Sequence, residues 1–197
     1  MAVPVRGAPA KQDAIVRAAT TLFSRYGFRK TTVDLIAREA DVAKPTLYAH
    51  FSDKEAIFVA VCRHVMDGIL AAAIAALERT DVVDRISEIL AAKFTRIFEL
   101  VHSSPHAREL IDSQDAQARD IVAKADLAFA KLLADALRAA IRHGELALEH
   151  TEARPARLAQ LLMQAGHGAG YGATSADEHR ANLRALVAAL LGRPPPR

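Results

Sequence analysis

The chain has 197 residues, 51% of them apolar and 25% charged, which supplies a globular core and excludes wholesale disorder. A single cysteine, Cys62, excludes an intrachain disulfide and a cysteine-built zinc site. The formal net charge of +3 is uneven: residues 1–54 hold nine Lys or Arg against five Asp or Glu, and the remainder holds 17 against 18. That distribution suits a polyanion-facing module on a near-neutral body.

Residues 1–10, with two prolines and a glycine, show no periodicity and are expected to form a flexible arm. They lack the apolar stretch of a signal peptide. The longest uncharged apolar run, GILAAAIAAL at 68–77, is too short to span a bilayer. A cytoplasmic protein with no membrane partner is expected. From Lys11 the pattern turns helical, with Ile15, Ala18, Ala19, Leu22, Phe23 and Tyr26 on one face and Gly27 as the stop. A second helix is expected over Thr32–Ala40. Thr31 and Asp34 have capping-box spacing at its start, and Val33, Ile36, Ala37 and Ala40 form its apolar face.

After a tight turn at Glu39–Val42 comes DVAKPTLYAHFSDKEA, residues 41–56. This short helix has one apolar anchor, Leu47, with Lys44, Thr46, Tyr48, His50 and Lys54 around it. A structural helix shows an apolar stripe at spacings of three and four; this one shows a face built to touch something else. Ser52 and Glu55 form a second capping box, opening a fourth helix over Asp53–Arg79. Further helices are expected over Asp81–Ser103, His106–Ser113, Gln114–His143, Ala153–Gly168 and Ala176–Leu191, and GRPPPR is a tail. No window alternates as a strand does. The expectation is an all-α fold of about nine helices, a three-helix N-terminal helix-turn-helix domain plus a C-terminal helical bundle.

Two short helices across a tight turn, the second polar and basic, describe a helix-turn-helix. The first helix braces the second across Ala37, and the second fits the major groove. The landmarks A-x-x-LF-x-x-x-G-F (Ala19, Leu22, Phe23, Gly27, Phe28), TT-x-x-x-IA (Thr31, Thr32, Ile36, Ala37) and T-LY-x-HF-x-x-K-E (Thr46, Leu47, Tyr48, His50, Phe51, Lys54, Glu55) follow in one order. Through them residues 14–58 resemble the DNA-binding domain of the TetR family of bacterial transcriptional regulators. The resemblance implies phosphate contacts from Thr32, Tyr48, His50 and Lys54, helped by backbone N–H groups near Val42 and Ala43. It places Lys44, Pro45, Thr46 and Ala49 toward base edges. The side-chain chemistry agrees: Lys44 can donate to guanine, Thr46 can bond either way, and the Ala49 methyl can meet a thymine methyl. Structural alternatives are a Tyr48 ring packed half into the core and a His50 that caps a helix end. Lys11 and Arg29 read as solvated charges. Two positions depart from the family pattern: Asp41 stands where Gly is usual and Ala43 where Ser is usual. Asp tolerates positive φ, so the turn survives, but it brings negative charge toward DNA, and Ala43 removes a hydroxyl cap.

The resemblance also implies a body that dimerises and senses a small molecule. The expected homodimer interface is two stripes, Leu158, Leu161, Leu162, Ala165 and Ala169, then Leu183, Leu186, Val187 and Leu190, in a four-helix arrangement. The alternative is that both stripes pack into their own subunit. An effector pocket is expected among Cys62, Met66, Ile69, Phe94, Ile97, Phe98, Val101, His102 and Phe129, residues that could equally be ordinary core. Without excess charge there, the effector is expected to be apolar. His102 and His106 are four apart, with His64 a further candidate, but Pro105 intervenes, so no metal site is expected. GHGAGYG at 166–172 follows a helix and lacks the lysine of a phosphate loop. With no nucleophile or cofactor motif, an enzyme is not expected.

The domain reading is a flexible arm at 1–10, a helix-turn-helix domain at 11–55, a ligand-binding and dimerisation domain at 56–192, and a flexible tail at 193–197. The functional expectation is a homodimeric repressor on palindromic double-stranded DNA, released by an apolar small molecule. The rivals are an activator, a repressor without small-molecule input, and a helical interaction protein whose N-terminal module docks onto another protein.

Overall fold

The computed structural model describes residues 8–103, 116–146 and 154–191. Among these the fold is all-α: α1 (Ala8–Lys30), α2 (Val33–Glu39), α3 (Lys44–His50), α4 (Lys54–Ala75), a 3-10 turn (Ala76–Glu78), α5 (Val82–Ser103), α6 (Ala116–Arg142), α7 (Pro155–Gly168) and α8 (Ala176–Leu190). The helix expected over 106–113 lies outside the described residues, as do most of the arm and the tail.

Helix ends follow local chemistry. α1 is already helical at Ala8, the first described residue, before the expected Lys11. Its backbone leaves the helical region at Gly27 (φ 80°, ψ 161°), where the sequence places the stop. The cap of α2 is Thr32 and not Thr31: the Thr32 hydroxyl accepts from the Leu35 N–H at 3.2 Å. Thr31 is fully buried and donates to the Gly27 carbonyl at 2.8 Å. The same one-residue shift occurs at α4. Asp53 accepts from the Ala56 N–H at 2.7 Å, while Ser52 donates to Asp53 at 2.9 Å. In both places two neighbouring side chains could cap, and the stronger or better placed acceptor takes the helix N–H.

Two compact units divide the chain. One comprises residues 1–66 and 100–122, the other 67–99 and 123–197, so α4, α5 and α6 each contribute to both. In the first, Ile15, Leu22 and Phe23 of α1, Ile36 and Ala37 of α2, Leu47 of α3, and Ile57, Phe58 and Val61 of α4 share one buried core. Rings of Phe23, Phe28 and Phe58 meet at centroid distances of 5.0–5.9 Å, within the range of favourable tilted and edge contacts.

The second unit buries Ile86, Ile89 and Leu90 of α5, Leu133 and Leu137 of α6, Leu158 and Leu162 of α7, and Leu183 and Val187 of α8. Arg85–Glu145 (2.6 Å), Lys93–Asp126 (2.7 Å) and Arg184–Asp84 (2.8 Å) tie its elements together. Gly166 has a specific cause: a Cβ there would lie 2.5 Å from the Phe94 ring. Lys54–Glu78 is long and apolar enough to cross a membrane by length and composition, beyond what the ten-residue run suggested. Its face bearing Ile57, Phe58, Val61 and Cys62 is built into the core.

Candidate nucleic-acid interface

The turn between α2 and α3 is made by backbone bonds from Asp41 N–H to the Arg38 carbonyl (3.1 Å) and from Val42 N–H to the Ala37 carbonyl (2.9 Å). Asp41 adopts φ 52°, the left-handed region that its short polar side chain tolerates. Ala43 sits at the N-cap of α3 without a side-chain bond, and Pro45 lies in the first turn, where its missing N–H is not needed. Leu47 is 0% exposed and anchors α3; burying such a side chain contributes about 1.5–3 kcal/mol.

Everything else on α3 turns outward to some degree. Lys44, Pro45, Tyr48 and Ala49 are exposed, and Thr46 and His50 are half-buried. Tyr48 is 47% exposed, so about half of its surface is covered and half is open to solvent. Val42 is half-buried and Ala43 exposed at the α3 entrance. Thr32 is exposed while its hydroxyl caps α2.

Lys54 is placed differently from a free surface cation. Its ammonium donates to the carbonyls of Phe28 (2.9 Å) and Thr31 (3.1 Å) and stands 4.3 Å from the centre of the Phe28 ring. It fastens the start of α4 to the segment joining α1 and α2. Lys44 also has a protein partner, Asp34 on α2, at 2.8 Å. That hydrogen bond and the accompanying charge raise the Lys44 pKa above the usual lysine value.

The nine pocket candidates divide between the units. Cys62, Met66, Val101 and His102 belong to the first, and Ile69, Phe94, Ile97, Phe98 and Phe129 to the second. Cys62, Ile69, Phe94, Phe98 and Phe129 are buried; Met66, Ile97 and Val101 are half-buried and His102 is exposed. Sequence reasoning missed Lys93, only 5% exposed, whose ammonium lies 5.3 and 5.6 Å from the Phe94 and Phe129 rings and pairs with Asp126. His179 was missed too: it is buried, within 2.9 Å of the Thr95 hydroxyl, with its ring tilted 32° against Phe98 at a centroid distance of 4.8 Å. A surface groove of about 330 Å³ in the second unit, floored by Ala72, Ala75, Ala76 and Ala92, is lined by none of the nine.

Of the expected interface stripes, Leu158, Leu162, Ala169, Leu183 and Val187 are already buried within this chain. Leu161, Ala165 and Leu186 remain half-buried and Leu190 is 41% exposed. His106 of the histidine cluster lies outside the described residues.

Residues 15–61 match the model of the bacterial regulatory proteins, tetR family. The chain is 42% identical over 62 residues to the HTH-type transcriptional regulator RutR of Escherichia coli (strain K12). That alignment spans 32% of this chain and 29% of RutR. It is 43% identical over 47 residues to the biofilm operon icaADBC HTH-type negative transcriptional regulator IcaR of Staphylococcus aureus (strain Newman), across 24% of this chain and 25% of that protein. Each of these likenesses covers less than a third of the relative's length. The fold is shared more widely. A transcriptional regulator of the TetR/AcrR family from Thermobifida fusca superposes with a TM-score of 0.69 at 20% identity, covering 90% of this chain and 96% of that one.

Proposed function

We propose, from the match of residues 15–61 to the TetR family and the likeness to its DNA-binding helix-turn-helix regulators, that the chain is a TetR-family homodimeric repressor of a palindromic operator. α3 carries the reading: a helix anchored by Leu47 alone, with Lys44, Tyr48 and Ala49 exposed, has a surface suited to another molecule. Residues 11–55 are the DNA-binding domain and 56–192 the effector and dimerisation domain, flanked by an arm at 1–10 and a tail at 193–197. Ala43 offers its backbone N–H to phosphate, while that of Val42, expected to help, is taken by the Ala37 carbonyl; Thr32, Tyr48, His50 and Lys54 stand beside it. Lys44, Pro45, Thr46 and Ala49 meet base edges. Repression is the sign carried by IcaR, whose name describes a negative regulator.

The dimer face uses what α7 and α8 leave uncovered: Leu161, Ala165, Leu186 and Leu190. Two such helices come from each subunit, and the two α3 helices of the dimer read half-sites about one helical turn, ~34–36 Å, apart on DNA. The effector is an apolar small molecule held by the second unit's candidates Ile69, Phe94, Ile97, Phe98 and Phe129; the mutual pairing of Lys93 and Asp126 leaves that lining without net charge. An effector that shifts α4 acts on the reading heads through Lys54, because Lys54 joins α4 to the α1–α2 segment. It can do so only by binding the released state more tightly. The working location is the cytoplasm, beside the DNA.

Selection of bound sequences from random duplex DNA tests this reading, beside a Tyr48→Ala, His50→Ala control. A palindrome that the control fails to enrich supports it. A folded dimer that enriches no sequence at moderate salt sinks it and favours a protein-docking role.

A further inference from the structure

Lys44 is the first residue of α3. A cation there faces the positive end of the helix dipole. α3 has neither an acidic residue in its first turn nor a side-chain cap. Compensation comes from another helix: Asp34, in the first turn of α2, holds the Lys44 ammonium at 2.8 Å. Both side chains are about half exposed, 51% and 53%, so a duplex can reach either. Tyr48 lies one turn beyond Lys44 on the same helix face and is exposed. The ion pair therefore sits on the surface assigned above to DNA.

We propose that Asp34 is a specificity-determining residue, an internal counter-ion that competes with DNA for Lys44. This rests on the DNA-binding reading. On an unrelated duplex a single phosphate does not repay the loss of Asp34 and a carboxylate left facing the polyanion, so Lys44 stays with Asp34 and makes no phosphate contact. At a guanine opposite the start of α3, the O6 and N7 acceptors together replace what Asp34 provides. Asp34 thus weakens binding to wrong sequences more than to the right one, a repulsive contribution to discrimination.

The test compares the selected operator with a scrambled duplex, by fluorescence anisotropy of the full chain across a salt series. Asp34→Asn should raise affinity for the scrambled duplex roughly five- to tenfold at 0.1 M salt and steepen its log–log salt slope by about 0.9, one added phosphate contact. Operator affinity should change less, so the specificity ratio falls. Lys44→Gln alone should leave the scrambled slope unchanged and weaken the operator; combined with Asp34→Asn it should abolish the gain. An unchanged ratio and slope in Asp34→Asn overturns the proposal, as does a gain that persists in the Lys44→Gln background. Should Asp34→Asn unfold, Lys44→Gln decides: a scrambled slope shallower by about 0.9 means Lys44 was already bound to phosphate. If the parent protein itself distinguishes no sequence, the DNA-binding reading fails first, before any variant is made.

Discussion

The two units put the same few residue types to different uses. In the first, α3 commits one side chain, Leu47, to the core and turns most of the others outward. In the second, α5 through α8 bury repeated Leu, Ile and Ala positions and join charged groups between elements. A surface made for a partner shows in the sequence as a helix with too little stripe. A surface made for packing shows as a stripe, whichever chain it packs against. That is why the exposure of α3 could be read by residue, while the α7 and α8 stripes could not be divided between buried and open positions. Leu162 and Leu186 look alike in sequence, yet one is fully buried in its own chain and the other only half.

The largest effect should come from the anchor that α3 has least of. Leu47→Ala removes its one buried side chain, and large-to-small changes at such sites cost about 2–5 kcal/mol. Chemical denaturation should show that loss, with hydrogen exchange rising first in α2 and α3. Tyr48→Ala, on an exposed position of the same helix, should leave stability within about 0.5 kcal/mol. Equal losses from both substitutions would break the contrast between anchor and exposed face.

A middle-sized effect sharpens the comparison from the other unit. Gly166→Ala drives a methyl into the buried Phe94 ring, which also meets His167 edge-on at 4.8 Å. Overpacking of this kind costs about 1–3 kcal/mol. Thermal melts should show the loss, and the Phe94→Leu background should recover part of it by making room. A neutral Gly166→Ala would mean that α5 and α7 adjust more readily than a close-packed core does.

What was legible follows from range in sequence. Helix order, the Gly27 stop, the Asp41 turn and the exposed face of α3 all depend on neighbours within a few residues. The Lys54 clamp depends on carbonyls 26 and 23 residues away, and no local pattern announces it. Lys93 can be buried because Asp126, 33 residues on, accepts a hydrogen bond from its ammonium at 2.7 Å. Spacing assigned two caps one residue early, since Thr31 and Thr32, like Ser52 and Asp53, both carry suitable oxygens. Which of each pair serves the helix is a matter of geometry.

The smallest effect compares one exposed helix-start carboxylate in each unit. The Ala56 backbone N–H, and then the Ser52 hydroxyl, lower the Asp53 pKa below the usual 3.8. The Thr174 backbone N–H and hydroxyl lower that of Glu178 below the usual 4.5. A depressed folded-state pKa gives stability that is complete above the usual value and is lost as pH falls through the folded one. Both contributions should therefore persist at neutral pH and fade only in acid, below 3.8 for Asp53 and below 4.5 for Glu178. Carboxyl titration by NMR should give midpoints under those values. Asp53→Asn keeps an acceptor for the Ala56 N–H, so it should remove the acid-dependent loss while changing neutral stability little. If Asp53 instead titrates at its usual value, Ser52 holds the helix start, and the capping box read from S-x-x-E describes α4 better than the Asp53 geometry does.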